Sequence, residues 1–307
     1  MYTKSMRGNL LLGCSGWNYP DTASEGGWTG IFYPDKETKR LRYYSQFFDT
    51  AETDSTFYNR FYSKMTKGTF IGMAKATPEK FQFSIKVPET ITHDKRLNID
   101  KGAITDFEEF LDKISPLKEA NKLGAILIQL PPSFTVNEFK DIESFLERLP
   151  RVNSNNNYNY QYAVEFRHPS WKTEGPWEML KHYNIAAVIT DSPARENLQF
   201  LSDVVITADH SFVRFHGRNT KDHYWYNYLY SRQELEPWVD KINDIRNQTK
   251  ILRIYFNNHY GGSAVVNAMQ FKEMVTGTNL SKSEREVLKH AEEYIVEQKQ
   301  QLKLDHV

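Results

Sequence analysis

The sequence predicts a single (β/α)8 TIM barrel, and three observations carry that reading. Eight short strand-like runs follow one another along the chain. Helical patterns separate most of them, which implies a parallel sheet with right-handed crossovers. Polar residues alternate with apolar ones in the runs and collect towards their C-terminal ends. The 307 residues suit one α/β barrel, with a core over residues 10–275 and a helical tail over 281–307.

The runs are Leu10–Ser15, Ala51–Ser55, Phe81–Val87, Ala125–Leu130, Tyr162–Arg167, Ile185–Thr190, Phe212–Gly217 and Ile251–Asn257. They are rich in β-branched, aromatic or aliphatic residues and are bounded by Gly, Pro, Asp or Asn. Helical spacing recurs in Phe107, Phe110, Leu111 and Ile114, in Phe139, Ile142, Phe145 and Leu146, and in Leu235, Trp238, Val239 and Ile242. The unit between the sixth and seventh strands is irregular: Ser192–Ser211 carries Pro193 and a second apolar run, Val204–Ile206, without a helical pattern. Arg151–Tyr160 is Asn-rich and reads as a surface loop. The long segment after the first strand, with Trp17, Tyr19, Gly26, Gly27, Trp28 and Gly30, reads as a functional or lid-like loop.

Alternate strand residues of a barrel face the helices or the interior. If the apolar set faces the helices, Ser84 and Lys86, Gln129, Glu165 and Arg167, Arg214 and His216, and Arg253, Tyr255 and Asn257 all face inward. Unpaired buried charges cost several kcal/mol. Those groups therefore pair with one another, reach water, or await a ligand at the C-terminal mouth, where barrel active sites sit. The plain structural alternative is an ion-pair network of Glu165 with Arg167, Arg214 or Arg253.

Composition excludes several classes. Lys plus Arg and Asp plus Glu are 39 each, so the net charge is zero, and a bulk attraction to nucleic acid or membrane has no support. One cysteine, Cys14, makes an internal disulfide impossible and reads as a small core residue. No apolar stretch approaches the roughly 20 residues of a membrane span, and the N-terminus lacks a signal-peptide core. A cytoplasmic location is the expectation.

Several motifs then fall in order: Gly13-Cys14-Ser15-Gly16-Trp17, Glu52–Tyr58, Phe83–Val87, Gln129-Leu130-Pro131-Pro132, Glu165–Trp171, Val213–Arg218, and Tyr255–His259 followed by Gly262, Ala264, Asn267 and Ala268. Through them, over residues 10–275, the chain resembles the DUF72 (YecE-like) family. The resemblance implies a TIM barrel, in agreement with the strand count, and little about activity, since this is a family of unknown function.

The site expected from the residues is a cationic mouth acting on a small anionic, possibly phosphorylated, substrate by general acid–base chemistry of hydrolase or lyase type. Glu165 with His168 or His216 would exchange protons. Lys86, Gln129, Arg167, Asp191, Arg214, Asn257 and Asn258 would bind substrate. No cofactor is called for. Asp54, Glu165, Asp191, His168 and His216 are ligand types that suit a divalent metal, though no compact spacing supports one. Arg40 reads as an outer-surface residue. A nucleic-acid-binding or nuclease-like barrel is the alternative, resting on the aromatic run Tyr224, Trp225, Tyr226, Tyr228 and Tyr230. That run reads more readily as a loop packed over the rim. A noncatalytic ligand-binding barrel is the third reading.

Overall fold

In the computed structural model, which describes residues 7–21, 25–150, 152–153, 156–193, 201–221 and 225–304, eight parallel strands close into a barrel. They are β1 (Asn9–Ser15), β2 (Thr50–Thr53), β3 (Gln82–Lys86), β4 (Leu123–Gln129), β7 (Gln161–Glu165), β8 (Ala186–Asp191), β9 (His210–Phe215) and β10 (Ile251–Phe256). The remaining two, β5 (Val152–Asn153) and β6 (Asn156–Asn159), pair antiparallel before β7. All eight barrel strands overlap the runs read from the sequence. The Asn-rich segment expected as a loop instead forms this small hairpin. Its composition hides it, because Asn is depleted in strands.

Helices fill most crossovers: α1 (Arg40–Tyr44), α2 (Asn59–Tyr62), α3 (Lys67–Lys75), α4 (Ala103–Glu119), α5 (Phe139–Glu147), α6 (Glu174–His182), α7 (Arg232–Gln248) and α8 (Ser263–Thr276). A last helix, α9 (Lys282–Leu304), packs on α8. The expected apolar stripes are the buried ones: Phe107, Phe110, Leu111 and Ile114 on α4, and Leu235, Trp238 and Ile242 on α7. They meet Ile126, Ile128 and Leu130, or Ile254 and Phe256, on the outer face of the sheet. Residues 201–209, before β9, carry no helix; residues 194–200 of that irregular unit lie outside the described ones. No helix among the described residues is long and apolar enough to cross a membrane.

Inside the barrel, alternation sorts the residues as parity requires. The lower lumen holds Ala125, Leu127, Ala163, Ala186, Val188, Phe212 and Tyr255. Small alanines on β4, β7 and β8 face the rings of Phe212 and Tyr255, whose centroids lie 4.9 Å apart. The Tyr255 hydroxyl shares hydrogen bonds with Thr50 Oγ1 at 2.7 Å and Ser84 Oγ at 2.8 Å. This layer closes the floor and leaves polar groups only above it or at the very bottom. Arg253 sits at the bottom, donating to Gln82 Oε1 at 2.8 Å.

Two local devices hold the frame. β1 and β2 approach closely at Gly13, where a Cβ would lie 2.0 Å from the Thr50 carbonyl oxygen. The Tyr44 hydroxyl fastens the same place, accepting from Cys14 N at 2.7 Å and donating to Thr50 O at 3.0 Å. Cys14 is fully buried there, and burial pushes its thiol far up, so it is an inert core group. After β3 the chain makes one π-turn, Thr90–Asp94, then two successive left-handed residues, Arg96 (φ 51°) and Leu97 (φ 56°). Such non-glycine conformations cost of order 1–3 kcal/mol each. Arg96 secures them by gripping Glu138 with Nε at 2.5 Å and Nη2 at 2.7 Å, and Ser133 O at 3.0 Å.

Substituting Gly13→Ala forces β1 and β2 apart and should lower stability by about 3 kcal/mol, the upper range for overpacking. Gly72→Ala, on exposed α3 with open space around it, should raise stability by about 0.5–1 kcal/mol. Urea denaturation of the two variants checks both signs.

Candidate functional site

Each group at the mouth comes from the inward-facing parity of a different strand. Arg214 on β9 reaches across the lumen. Its Nη1 donates to Glu165 Oε2 on β7 at 2.6 Å, and its Nη2 donates to Glu52 Oε1 on β2 at 2.6 Å. All three are almost completely buried, at 2 %, 0 % and 0 % exposed. Arg167, just past β7, donates from Nε to Glu165 Oε1 at 2.6 Å and from Nη2 to Gln129 Oε1 at 2.8 Å. Glu165 thus spends one oxygen on each guanidinium. They hold its carboxyl well below the usual range, overcoming the burial that raises it.

His216 stands beside this chain, its Nε2 3.4 Å from Glu165 Oε2 and its Nδ1 2.9 Å from the Asn257 amide nitrogen. Burial, with repulsion from Arg214, pushes its pKa down to about 4 despite Glu165, so the ring is neutral at pH 7. Lys86 on β3 differs from the other cations. Its Nζ lies 3.6 Å from the centre of the Phe57 ring, and no carboxylate of the described residues lies within ion-pair distance. Burial, then repulsion by Arg167 and Arg214, lowers its pKa to about 7; Glu52 and Glu165 act in the opposite sense. Half-buried Asp54, just past β2, is the complementary group. Burial and the Glu52 charge raise its pKa against the pull of Lys86 and Arg214.

The structure therefore brings together Lys86, Gln129, Glu165, Arg167, Arg214, His216 and Asn257, as parity implies. Three other expected site residues lie elsewhere. Asp191 has the opposite parity to Thr190 and faces the helices. It accepts from Arg218 Nε and Nη2 (2.8 and 2.5 Å), Tyr230 Oη (2.8 Å) and Trp238 Nε1 (2.9 Å), and it borders a separate cleft of about 490 Å³ with Lys241. Asn258 is buried beneath the rim, donating to Tyr228 O and Asn267 Oδ1, both at 2.8 Å. His168 caps the turn Pro169–Trp171, its Nδ1 3.2 Å from Ser170 N. Trp171 then stacks on Phe166 with centroids 4.6 Å apart. Arg40, partly exposed at the start of α1, ties Asp21, Asn18 and the Tyr19 carbonyl of the first loop. Among the described residues no three His, Cys, Asp or Glu side chains gather as a metal would require. Asp191 and His168 face away, and both Glu165 oxygens are taken.

Two mouth residues escaped the sequence reading. Glu52 is inward on β2 by the same parity rule, but the run Ala51–Ser55 has no apolar alternation to reveal it. His93 lies on the π-turn with Nδ1 2.9 Å from Thr92 Oγ1 and its ring edge-on to Phe57 at 4.9 Å. Burial and the nearby Lys86 and Arg167 lower its pKa to about 3, and no sequence pattern marks it. The opposite rim is an aromatic stack: His259 lies between Tyr19 (4.4 Å) and Tyr226 (4.5 Å), with Trp28 Nε1 donating to its carbonyl at 2.7 Å. Tyr224 of the expected aromatic run lies outside the described residues.

Fold and site together define an α/β barrel protein whose mouth is an ion-paired, nearly dry charge cluster. The model of the family described as "Protein of unknown function DUF72" matches residues 11–290, and the chain belongs to that family. It is 28 % identical over 287 residues to the UPF0759 protein YunF of Bacillus subtilis, covering 87 % of this chain and 94 % of that one. It is 26 % identical over 253 residues to the UPF0759 protein YecE of Escherichia coli, covering 76 % and 80 %. A solved DUF72 family protein of Thermotoga maritima superposes with a TM-score of 0.71 at 30 % identity, covering 87 % of this chain and 99 % of that one. One from Enterococcus faecalis, at 24 % identity and TM-score 0.68, covers 89 % and 97 % and shares the fold.

Breaking the triad from one side leaves a buried charge unpaired. Glu165→Gln should cost about 3–5 kcal/mol. The folded-state pKa of Glu165 is depressed, so its contribution is present above the unfolded value of about 4.3 and is lost as pH falls below it. The wild type should therefore lose stability steeply below that pH, and Glu165→Gln should show a flatter acid limb. Denaturation midpoints from pH 7 to pH 3 test this.

Proposed function

We propose that this chain is an enzyme that takes a small anionic substrate at the C-terminal mouth and transforms it by general acid–base chemistry, with Lys86 as the proton-exchanging group. One observation carries the reading. Among the described residues, Lys86 is a mouth cation with no carboxylate at ion-pair distance, resting on an aromatic face near two guanidiniums. The other two cations are committed to Glu52 and Glu165. A lysine whose pKa is lowered to about 7 can donate or accept a proton at neutral pH, where an ordinary lysine cannot.

Roles follow from access. Arg214 and His216 are buried beneath the surface of the site and act as its electrostatic frame. Arg167, about 9 % exposed against 2 % for Arg214, is the guanidinium assigned to meet an anionic group, with half-buried Asn257 beside His216. Glu165 holds both guanidiniums rather than exchanging protons, since its pKa lies far below neutrality. A small ligand suits the rim better than a nucleic-acid strand. Tyr226 is stacked on His259, and Tyr228 and Tyr230 meet edge-on at 5.1 Å, so these rings are spent on the rim.

Isothermal titration with inorganic phosphate tests the anion site. Binding should weaken at least tenfold between pH 6 and pH 9, because Lys86 loses its proton through about pH 7. Lys86→Met and Arg167→Gln should each weaken it tenfold or more, whereas Asp191→Asn should leave it within twofold. Unchanged affinity in both mouth variants would refute the reading.

A further inference from the structure

We infer that Lys86 is an amine nucleophile that forms an imine with a small aldehyde or ketone carrying an anionic group, with Asp54 as the proton donor to the departing oxygen. The inference rests on the proposed mouth site and names its substrate class. Three features support it. The Nζ of Lys86 sits on the Phe57 ring rather than on a carboxylate, and a desolvated amine beside other cations is the arrangement that keeps it unprotonated. Asp54, just past the neighbouring strand β2, lies close enough to Lys86 to feel its charge, and burial with the Glu52 charge raises its pKa. Arg167, whose charge reaches Lys86 and which is less buried than Arg214, would seat an anionic group.

The steps balance. The Nζ lone pair attacks the carbonyl carbon, and the C=O π pair moves onto oxygen. Asp54 protonates that oxygen and its carboxylate then takes a proton from the adduct nitrogen, giving the carbinolamine. Asp54 protonates the hydroxyl, water leaves, and the nitrogen pair closes the C=N bond. Starting from the tautomer in which Lys86 is the free amine and Asp54 carries the proton, the outcome is an iminium beside an Asp54 carboxylate. No oxidant or reductant is consumed.

The groups that set the protonation of Lys86 are Glu52 and Asp54 from the β2 side, Glu165 and Arg167 from β7, Arg214 from β9 and His93 from the π-turn. Burial is the largest influence on Lys86 and lowers its pKa; Arg167 and Arg214 act in the same sense, and Glu52 and Glu165 oppose them. With its pKa lowered to about 7, Lys86 can present free amine at neutral pH, where a lysine of ordinary pKa near 10.4 is almost wholly protonated.

The full chain should be incubated at pH 7 with glyoxylate and cyanoborohydride and mapped by peptide mass spectrometry. Lys86 should be labelled at least tenfold faster than any other lysine. The Lys86 adduct should be absent in Lys86→Arg, which keeps the charge but cannot form the imine at this pH. Asp54→Asn should slow labelling tenfold or more with an unchanged circular dichroism spectrum and Tm. Arg167→Gln should slow labelling by glyoxylate more than labelling by neutral acetaldehyde. Labelling of Lys86 no faster than surface lysines in the wild type overturns the inference. If phosphate binding still depends on Lys86 in that case, the anion site stands and only the imine is refuted. Labelling of Asp54→Asn at the wild-type rate removes Asp54 from the scheme.

Discussion

The bridge from Arg214 to Glu52 and Glu165 is the interaction on which the mouth depends. One guanidinium on β9 joins carboxylates on β2 and β7 across the barrel, so three strands that are not neighbours share one charge network. Taking these ions out of water costs several kcal/mol each, and the cost is offset only because the geometry is close and doubly bonded. A network of that kind contributes little net stability relative to an apolar filling. It does fix where the strands' ends lie. Beside it, Glu52 Oε2 and Arg214 Nε find no hydrogen-bond partner among the described residues.

The network also sets the state of its neighbours. Two arginines and two glutamates cancel, which leaves Lys86 and Asp54 outside those ion pairs. Each is displaced towards neutrality: the lysine down and the carboxyl up. Their mutual attraction opposes both shifts, but desolvation is the largest cause for each. A charged substrate entering the mouth would change that balance. An anion near Arg167 favours protonated Lys86, so binding and proton uptake are linked in the proposed chemistry.

Much of the fold was legible because apolar alternation is strong on β3, β4, β7, β9 and β10. Phe83 and Ile85 outward leave Ser84 and Lys86 inward, and Val213 and Phe215 leave Arg214 and His216. The same rule fails where alternation is weak. β2 reads Thr-Ala-Glu-Thr, and nothing in those types says which face Glu52 takes. Asp191 ends a strand on the outer parity, yet its polar character suggested the mouth. Its true partners, Arg218, Tyr230 and Trp238, come from distant segments. Asn258 and Asn267 likewise hold Tyr228 and Tyr230 by backbone bonds, a role that sequence spacing does not distinguish from ligand binding. His93 depends on a π-turn, whose single extra residue per turn leaves no periodic trace.

The stack of Tyr19, His259 and Tyr226 links the segments that follow β1, β10 and β9. Trp28 clamps the middle ring's backbone, so these three segments behave as one wall rather than three independent flaps. The opposite rim, after β2 and β3, has a different character: Tyr58 and Phe61 are exposed, and Arg60 lies over both rings. The barrel mouth therefore has two unlike sides among the described residues: rings stacked and tied by a hydrogen bond on the side of β1, β9 and β10, and an exposed aromatic pair backed by one arginine after β2.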